Sequence, residues 1–367
     1  MNRISEVCRL GCLLACLAVS ATAESAEFAF RGVIFGPYGK PWSHGDRLDL
    51  LAWMGAHGMN TYVHAAKDDV YQRLQWRDPY PAEAFAAFSE EIAEAAAAGV
   101  AWVPNLSPGV PLIPSVTPPN GLPSRDICFS CEADFQALVA KLQPFRNLGA
   151  RVFMVSFDDV QKISTNVEDL VAFGAGDEAY GRMTATLLNR LQDHWPDSTI
   201  LTVPADYSGT AQTAYLKSFG ETLDPRVHVM WTGTAVVARE IAAADAEAFS
   251  DAISTPASGK RKLVIWDNFP VNDYNGNIFS SLGLPTAFKL NVGPYKGRRA
   301  DLLEHVDGIV ANPMNEAQAT KIPLYTIAAY LEDPTAYDAA NADALAEAAW
   351  LRGIEELGGP ATAALFD

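Results

Sequence analysis

The sequence predicts an α/β protein of the (β/α)8 TIM-barrel class, folded as one domain. Three observations predict it. Eight short apolar runs rich in β-branched residues alternate with amphipathic helical stretches, the pattern of parallel strands joined by helices. No Gly-x-Gly-x-x-Gly follows the first run, which favours a closed barrel over a doubly wound nucleotide-binding sheet. No Pro/Gly-rich linker, short-period repeat or block of like charge divides the chain.

The strand runs lie near Arg31 to Phe35, Asn60 to His64, Val100 to Asn105, Arg151 to Phe157, Thr199 to Val203, Val227 to Trp231, Lys262 to Trp266 and Asp307 to Ala311. Between them the helices announce themselves. Ser43 with Asp46 three residues on reads as a capping box ahead of Leu48, Leu51 and Gly55, with Gly58 as the stop. Phe85, Phe88, Ile92 and Ala96 fall at helical spacing on one face of the next helix, which Gly99 ends. Phe135, Leu138, Val139 and Leu142 stripe the third, and Met183, Leu187, Leu191 and Trp195 the fourth. These stripes are core faces. The departure from short connections is Ser107 to Arg125, with six prolines after the third strand run. A barrel puts it on the face where ligands bind, either as a cover for the cleft or as a surface insertion.

The 367 residues, 49% hydrophobic and 10% aromatic, are enough for a large core. A net charge of −17 argues against nucleic acid, anionic membranes and polyanionic polysaccharides as partners, and for a neutral one. Residues 1–23 read as an export signal: Arg3 and Arg9, an apolar Leu10 to Val19, then Ala21-Thr22-Ala23. That run is too short to span a bilayer, so no integral membrane segment is expected once it is removed. The chain then divides into this signal, a barrel over 24–335 and a C-terminal helical tail over 336–367 packed on it, with a periplasmic or secreted location. Cleavage before Cys16, giving a lipoprotein, is the alternative. Only Cys128 and Cys131 outlast the signal. Their C-x-x-C spacing lacks a thioredoxin-like context and enough neighbouring ligands for zinc, which leaves incidental or local structural use.

Because ligands bind such barrels at the C-terminal strand ends, the residues that closely follow each run are the candidates. They are Gly36, Lys67, Asp158 with Asp159, Tyr207, Thr232, Asn268 with Asp273, and Asn312. Carboxylates, an ammonium, a phenol and amides converging in one place suit a polyhydroxylated sugar. Adjacent carboxylates in a partly dry cleft repel, so one is expected to be pushed up in pKa and stay protonated beside an ionised neighbour. That division is what acid/base cleavage of a glycosidic bond needs. The competing reading makes Asp158 or Asp159 a helix cap or a metal ligand. No Gly-x-Ser-x-Gly, His-Glu-x-x-His, P-loop or first-strand His-x-His is present, and the six histidines are scattered. No metal or cofactor is called for. His64 is read as a core histidine.

Taken together, RGVIFGPYGKPWSHGDR (31–47), MNTYVHAAKDD (59–69), FDD (157–159), VPADY (203–207), MWTG (230–233), IWDNFPVNDY (265–274) and ANPM (311–314) resemble glycoside hydrolase family 84, the O-GlcNAcase and bacterial β-N-acetylglucosaminidase family, in order over about residues 30–335. The resemblance implies a retaining β-N-acetylglucosaminidase, here exported by its signal, acting on terminal β-linked N-acetylglucosamine of an oligosaccharide or glycoconjugate. It also implies substrate assistance, in which the sugar's own acetamido oxygen attacks the anomeric carbon and forms an oxazoline. Asp158 would then orient the acetamido N–H, Asp159 would protonate the leaving oxygen and later activate water, and Tyr207 would hydrogen-bond the oxazoline oxygen. The Gly36 carbonyl, Lys67, Asn268, Asp273 and Asn312 would hold hydroxyls and the acetamido side. Tyr38, Val203, Thr232 and Trp266 would wall the methyl pocket. Beside these roles stand plainer ones: Lys67 as an ion-pair partner of Asp68 or Asp69, and Trp266 as core.

Two departures weigh against the full carry-over. The family's Glu-Gly-Phe-Tyr-Gly is here Phe35-Gly36-Pro37-Tyr38-Gly39, which motivates the second reading of a non-hydrolytic N-acetylglucosamine-binding protein on a degenerate barrel. Asp206 stands where the family usually has Glu. Lys296, Arg298 and Arg299 are read as a solvated loop, the alternative being a contact to an anionic leaving group.

Overall fold

The computed structural model describes residues 27–39, 41–111, 126–273 and 290–359. The export signal at 1–23, most of the proline-rich stretch (112–125) and the end of the tail (360–367) lie outside the described residues.

The strands are β1 (Phe30–Phe35), β2 (Thr61–His64), β3 (Ala101–Leu106), β4 (Val152–Ser156), β5 (Thr199–Val203), β6 (His228–Trp231), β7 (Leu263–Asp267) and β8 (Val306–Ala311). Each pairs in parallel with its sequence neighbours, and β1 pairs with β8, so the sheet closes into a barrel in chain order. The (β/α)8 class expected from the sequence is the fold observed. The described helices are α1 (His44–Ala56), α2 (Ala82–Ala97), α3 (Glu132–Asn147), α4 (Val167–Phe173), α5 (Asp177–His194), α6 (Ala214–Thr222), α7 (Ala243–Ala252), α8 (Lys321–Glu332) and α9 (Ala342–Gly358). None of the helices described is long and apolar enough to cross a membrane.

Local sequence explains where helices start and stop. The Ser43 side chain accepts from the Asp46 N–H while Asp46 returns a bond to the Ser43 N–H, closing the expected capping box on α1. Gly58 and Gly99 follow α1 and α2 with φ of 70° and 74°, a left-handed turn that glycine adopts without a Cβ penalty. Two stripes are rotated from expectation. In α1 the buried residues are Leu50, Leu51 and Met54, with Leu48 only half-buried; in α2 they are Phe88, Glu91, Ile92 and Ala95, with Ala96 exposed. Glu91 joins the buried face because Arg47 of α1 neutralises it at 2.7 Å. The α3 and α5 stripes are buried as expected.

Strand alternation creates two apolar layers. Phe30, Ile34, Val63, Ala65, Val103, Met154, Leu201, Val203, Met230, Val264, Trp266 and Val310 fill the barrel interior as one cluster. Their strand neighbours, among them Phe35, Tyr62, Trp102, Phe153, Trp231 and Ile265, face outward into the cluster shared with the helices. Continuing the inward parity past the strand ends leads from Ile34 to Gly36, from Ala65 to Lys67, from Met154 through Ser156 to Asp158, from Met230 to Thr232, from Trp266 to Asn268, and from Val310 to Asn312. Strand parity is thus what collects the candidate side chains on one rim.

Candidate active site

Asp158 follows the inward parity of β4 and is 4% exposed. Asp159, the next residue, would face outward if the strand continued. Its φ of 53° makes it the one non-glycine residue among those described in the left-handed region, and this turn brings its carboxylate back to the same cleft. Holding an aspartate there costs conformational energy, which is typical of functional sites.

The two carboxylates share Lys67, whose ammonium contacts Asp158 Oδ2 and donates to Asp159 Oδ2 at 3.3 Å. Lys67 also lies 5.4 Å from the Tyr38 ring and 5.3 Å from the Trp266 ring, within cation–π range of both. The Tyr38 hydroxyl donates to Asp159 Oδ2 at 2.8 Å and the Tyr207 hydroxyl to Oδ1 at 2.9 Å. Arg73 approaches Asp158 Oδ2 at 3.4 Å.

This network reverses the expected electrostatics. Burial alone pushes Asp159 up, but the Lys67 charge, the two phenol hydrogen bonds and Arg73 outweigh it and hold the carboxyl at about 2. The repulsion anticipated for neighbouring carboxylates is cancelled by a cation placed between them. Tyr38 and Tyr207 are pushed well above the usual phenol range, by burial first and then by the Asp159 charge, so both remain donors.

Across the rim, Asn312 and Asn268 are linked: Asn312 Oδ1 accepts from the Gly36 N–H at 3.2 Å, and Asn312 Nδ2 donates to Asn268 Oδ1 at 2.8 Å. Asn268 Nδ2 in turn donates to the Val236 carbonyl at 2.6 Å. Asp273 accepts from the Tyr38 N–H at 2.7 Å, and Asn315 donates to the Tyr38 carbonyl at 3.1 Å, so the β1 loop is aimed at the site. Gly36 leaves room for the indole: a Cβ there would sit 2.8 Å from Cζ2 of Trp266, and the ring would have to shift. Val203 and Trp266 belong to the interior cluster, with Tyr207 packed against it. The Thr232 N–H donates to the Tyr207 carbonyl at 3.0 Å, and its hydroxyl donates to the Ala235 carbonyl at 3.0 Å. Trp266 is thus both core and cleft wall, while Lys67 pairs with Asp158 and Asp159.

From Asp159 a cleft of about 580 Å³ continues past Val160, Lys162, Asp206, Ser208 and Thr213. Asp206 is fixed there by Lys162 at 3.1 Å and by the Thr213 hydroxyl at 2.6 Å. Phe35, the first departure, is 1% exposed and turned outward, packed against Trp42 at 4.8 Å between ring centroids. His64 packs in the same outer layer and burial lowers it to about 3, so it is a neutral core histidine. Cys128 and Cys131 form a disulfide just before α3, a local structural use.

Arg298 departs from the sequence reading. It is 4% exposed, not solvated, and forks onto Asp267 with bonds of 2.6 and 2.8 Å. It also donates to the carbonyls of Ala238 and Arg239, each at 2.9 Å. Asp267 faces outward on β7 and offers the buried partner that a loop arginine needs. Arg73 was the residue that sequence reasoning missed. Its only sequence signal is a position six residues beyond Lys67, and a connection without periodicity gives no rule for its direction.

Linked amides and a pair of carboxylates, set on the rim of a closed barrel, are the equipment of glycoside hydrolases, and that is the class the fold and site define. The family can be stated more narrowly. The chain belongs to the β-N-acetylglucosaminidase family, glycoside hydrolase family 84, whose model matches residues 31–364. It is 30% identical over 319 residues to the protein O-GlcNAcases of Mus musculus and of Rattus norvegicus, covering 85% of this chain and 31% of each of those proteins. The chain therefore spans about a third of the length of these relatives. Among solved structures, a mutant of the O-GlcNAc hydrolase of Thermobaculum terrenum superposes with a TM-score of 0.77 at 31% identity, over 92% of this chain and 65% of that one.

Proposed function

We propose that this protein is an exported, retaining β-N-acetylglucosaminidase that removes terminal β-linked N-acetylglucosamine by substrate-assisted catalysis. The observation that carries the reading is the turn at Asp159, which puts two successive carboxylates in one cleft with Lys67 between them.

In the proposed reaction the acetamido oxygen attacks the anomeric carbon and the glycosidic bond breaks. Asp158 accepts a hydrogen bond from the acetamido N–H and stabilises the positive charge that develops there. Asp159 gives its proton to the leaving oxygen and then takes one from the water that opens the oxazoline. Held at about 2, Asp159 must first gain that proton. A bound sugar covers the cleft and adds to the burial that already pushes Asp159 up, so binding itself raises the acid. In this reading Tyr207, bonded to Asp159 at 2.9 Å, turns to the oxazoline oxygen. Gly36, Asn268, Asp273 and Asn312 provide acceptors and donors for the remaining polar groups, while Val203, Trp266, Tyr38 and Thr232 wall the methyl.

The amino-terminal signal motif supports an extracytoplasmic location, as does the Cys128–Cys131 disulfide, which belongs to oxidising compartments. The substrate is then an N-acetylglucosamine-bearing oligosaccharide or glycoconjugate met outside the cytoplasm. The test is release of para-nitrophenol from its N-acetyl-β-glucosaminide and from its plain β-glucoside. Release from the first alone is expected. Release from both would exclude substrate assistance, and release from neither by folded protein would favour the glycan-binding alternative.

A further inference from the structure

We propose that the disulfide-closed turn at Cys128–Cys131, acting through Asp169, holds the backbone turn of Asp159 in place, which makes Asp169 a positioning residue for departure of the leaving group. This rests on the hydrolytic reading above and concerns the same site.

The left-handed backbone of Asp159 opens a connection, residues 159–166, that forms neither helix nor strand. Such a conformation persists only where its surroundings over-determine it. At its near end the connection is tied to the exit of β3: Val160 bridges to Pro111, and the Gln161 N–H donates to the Val110 carbonyl at 2.8 Å. At its far end it is tied to residues 126–131, which lead into α3. There the Thr165 N–H and hydroxyl donate to Asp126 at 2.9 and 2.6 Å, and Asn166 Nδ2 donates to the Ile127 carbonyl at 3.2 Å.

Asp169, in the first turn of α4, is the joint between the two segments and is 0% exposed. Its carboxylate accepts from the N–H groups of Phe129 and Ser130 at 3.0 and 2.7 Å, and from the hydroxyls of Ser130 and Ser164, each at 2.7 Å. Two successive backbone N–H groups converge on one carboxylate in a tight, nest-like turn, and the disulfide closes that turn. A cross-link across a sequence separation of 3 removes less chain entropy from the unfolded state than one closing a long loop, so what it chiefly fixes is local geometry. The turn is anchored in its own right, because the Cys128 N–H donates to Asp134 at 2.7 Å and Arg77 pairs with the same carboxylate. A turn that served only to start α3 would need no link to the connection after β4.

Proton delivery requires the Asp159 carboxyl within hydrogen-bond reach of the leaving oxygen. Asp158 follows directly from β4 and keeps its place if the connection loosens, whereas Asp159 does not. The loss should therefore fall on the leaving-group step and be greatest when the departing oxygen is most basic.

The test compares kcat/KM, which reports the steps up to cleavage of the first bond, on the phenyl and para-nitrophenyl N-acetyl-β-glucosaminides. It uses the full chain without its signal as wild type, Asp169→Ala and Cys128→Ser/Cys131→Ser, beside melting temperatures. Phenol needs the acid more than para-nitrophenol does, so the ratio of the two rates reads the placement of Asp159. The phenyl to para-nitrophenyl ratio is expected to fall about tenfold in Asp169→Ala and about threefold in the double variant. A purely structural turn would lower the melting temperature and leave the ratio at its wild-type value, and a ratio unmoved in either variant overturns the proposal. Should either variant not fold, Ser164→Ala, which deletes one hydroxyl between Asp169 and the connection, decides: a lowered ratio upholds the proposal and an unmoved one overturns it. Wild type that releases neither phenol would bring down the hydrolytic reading itself, and this inference with it.

Discussion

The two ends of the barrel treat their polar groups differently. At the amino-terminal end, Arg31 donates to the carbonyls of Gly58 and Phe28 at 3.1 and 2.7 Å, and Asn60 accepts from the Arg31 N–H at 2.9 Å while donating to Ala29. His57 there joins the Trp53 carbonyl at 2.8 Å and Glu356 of α9 at 3.1 Å. The cavity of about 400 Å³ at that end, which Arg31, His57, Tyr325 and Arg352 help to line, contains none of the candidate residues. Unpaired atoms do occur there, as at Gln192 Oε1 and Arg261 Nε, but the same side chains donate elsewhere to backbone carbonyls. At the carboxy-terminal end, Asp158 Oδ1, Trp266 Nε1, Asn105 Oδ1, Ser107 Oγ and Arg73 Nε are buried with no partner among the described residues, close to the strained backbone of Asp159. Buried polar atoms are rarely left so. Both rims leave some buried atoms unpaired, but at the carboxy-terminal one they include Asp158 and Trp266, two of the candidate residues.

Breaking the carboxy-terminal rim should cost activity far more than stability. Asp159→Asn is expected to lower kcat on substrates with poor leaving groups by about 10²-fold or more, the usual worth of general acid catalysis, as steady-state rates will show. The same variant tests the electrostatics. Asp159 is lowered from 3.8 to about 2 in the fold, so its ionised form contributes stability that is present above pH 3.8 and lost as pH falls through about 2. The variant should therefore melt a few degrees below wild type at neutral pH and converge with it near pH 2. Gly36→Ala should come next: the methyl meets Trp266, and kcat/KM should fall by about tenfold, mainly through KM, with little loss of melting temperature. The smallest effect belongs to the other rim. Glu356→Gln removes the partly exposed bond to His57 and should change stability by less than about 1 kcal/mol and leave kcat untouched. A kinetic effect there comparable to that of Gly36→Ala would erase the distinction between the two ends.

How much of this was legible follows from which interactions are local. Strand runs and their inward parity are written in the alternation of residues such as Val63, Ala65 and Lys67, so the barrel and most of its rim could be read directly. The capping box at Ser43 is equally local. What escaped reading was set by distant partners. Glu91 lies in the core because of Arg47, Arg298 is buried because Asp267 turns outward, and Arg73 reaches Asp158 from a connection without periodicity. The rise expected for one of the two carboxyls is not found at Asp159, because sequence shows the adjacent carboxylates and not the lysine lodged between them. Phe35 looked like damage to the site, yet strand parity directs it into the outer layer.

The central claim is that the substrate supplies its own nucleophile, and the most direct test is kcat on aryl β-glucosaminides bearing acetyl, fluoroacetyl, difluoroacetyl and trifluoroacetyl groups on nitrogen. Fluorine drains the carbonyl oxygen of the electron density it needs to attack the anomeric carbon. The account predicts that kcat falls steeply and in step with each added fluorine, in wild type and in Glu356→Gln alike. A rate indifferent to fluorination would mean that a protein carboxylate attacks instead, and would contradict the roles given to Asp158 and Asp159.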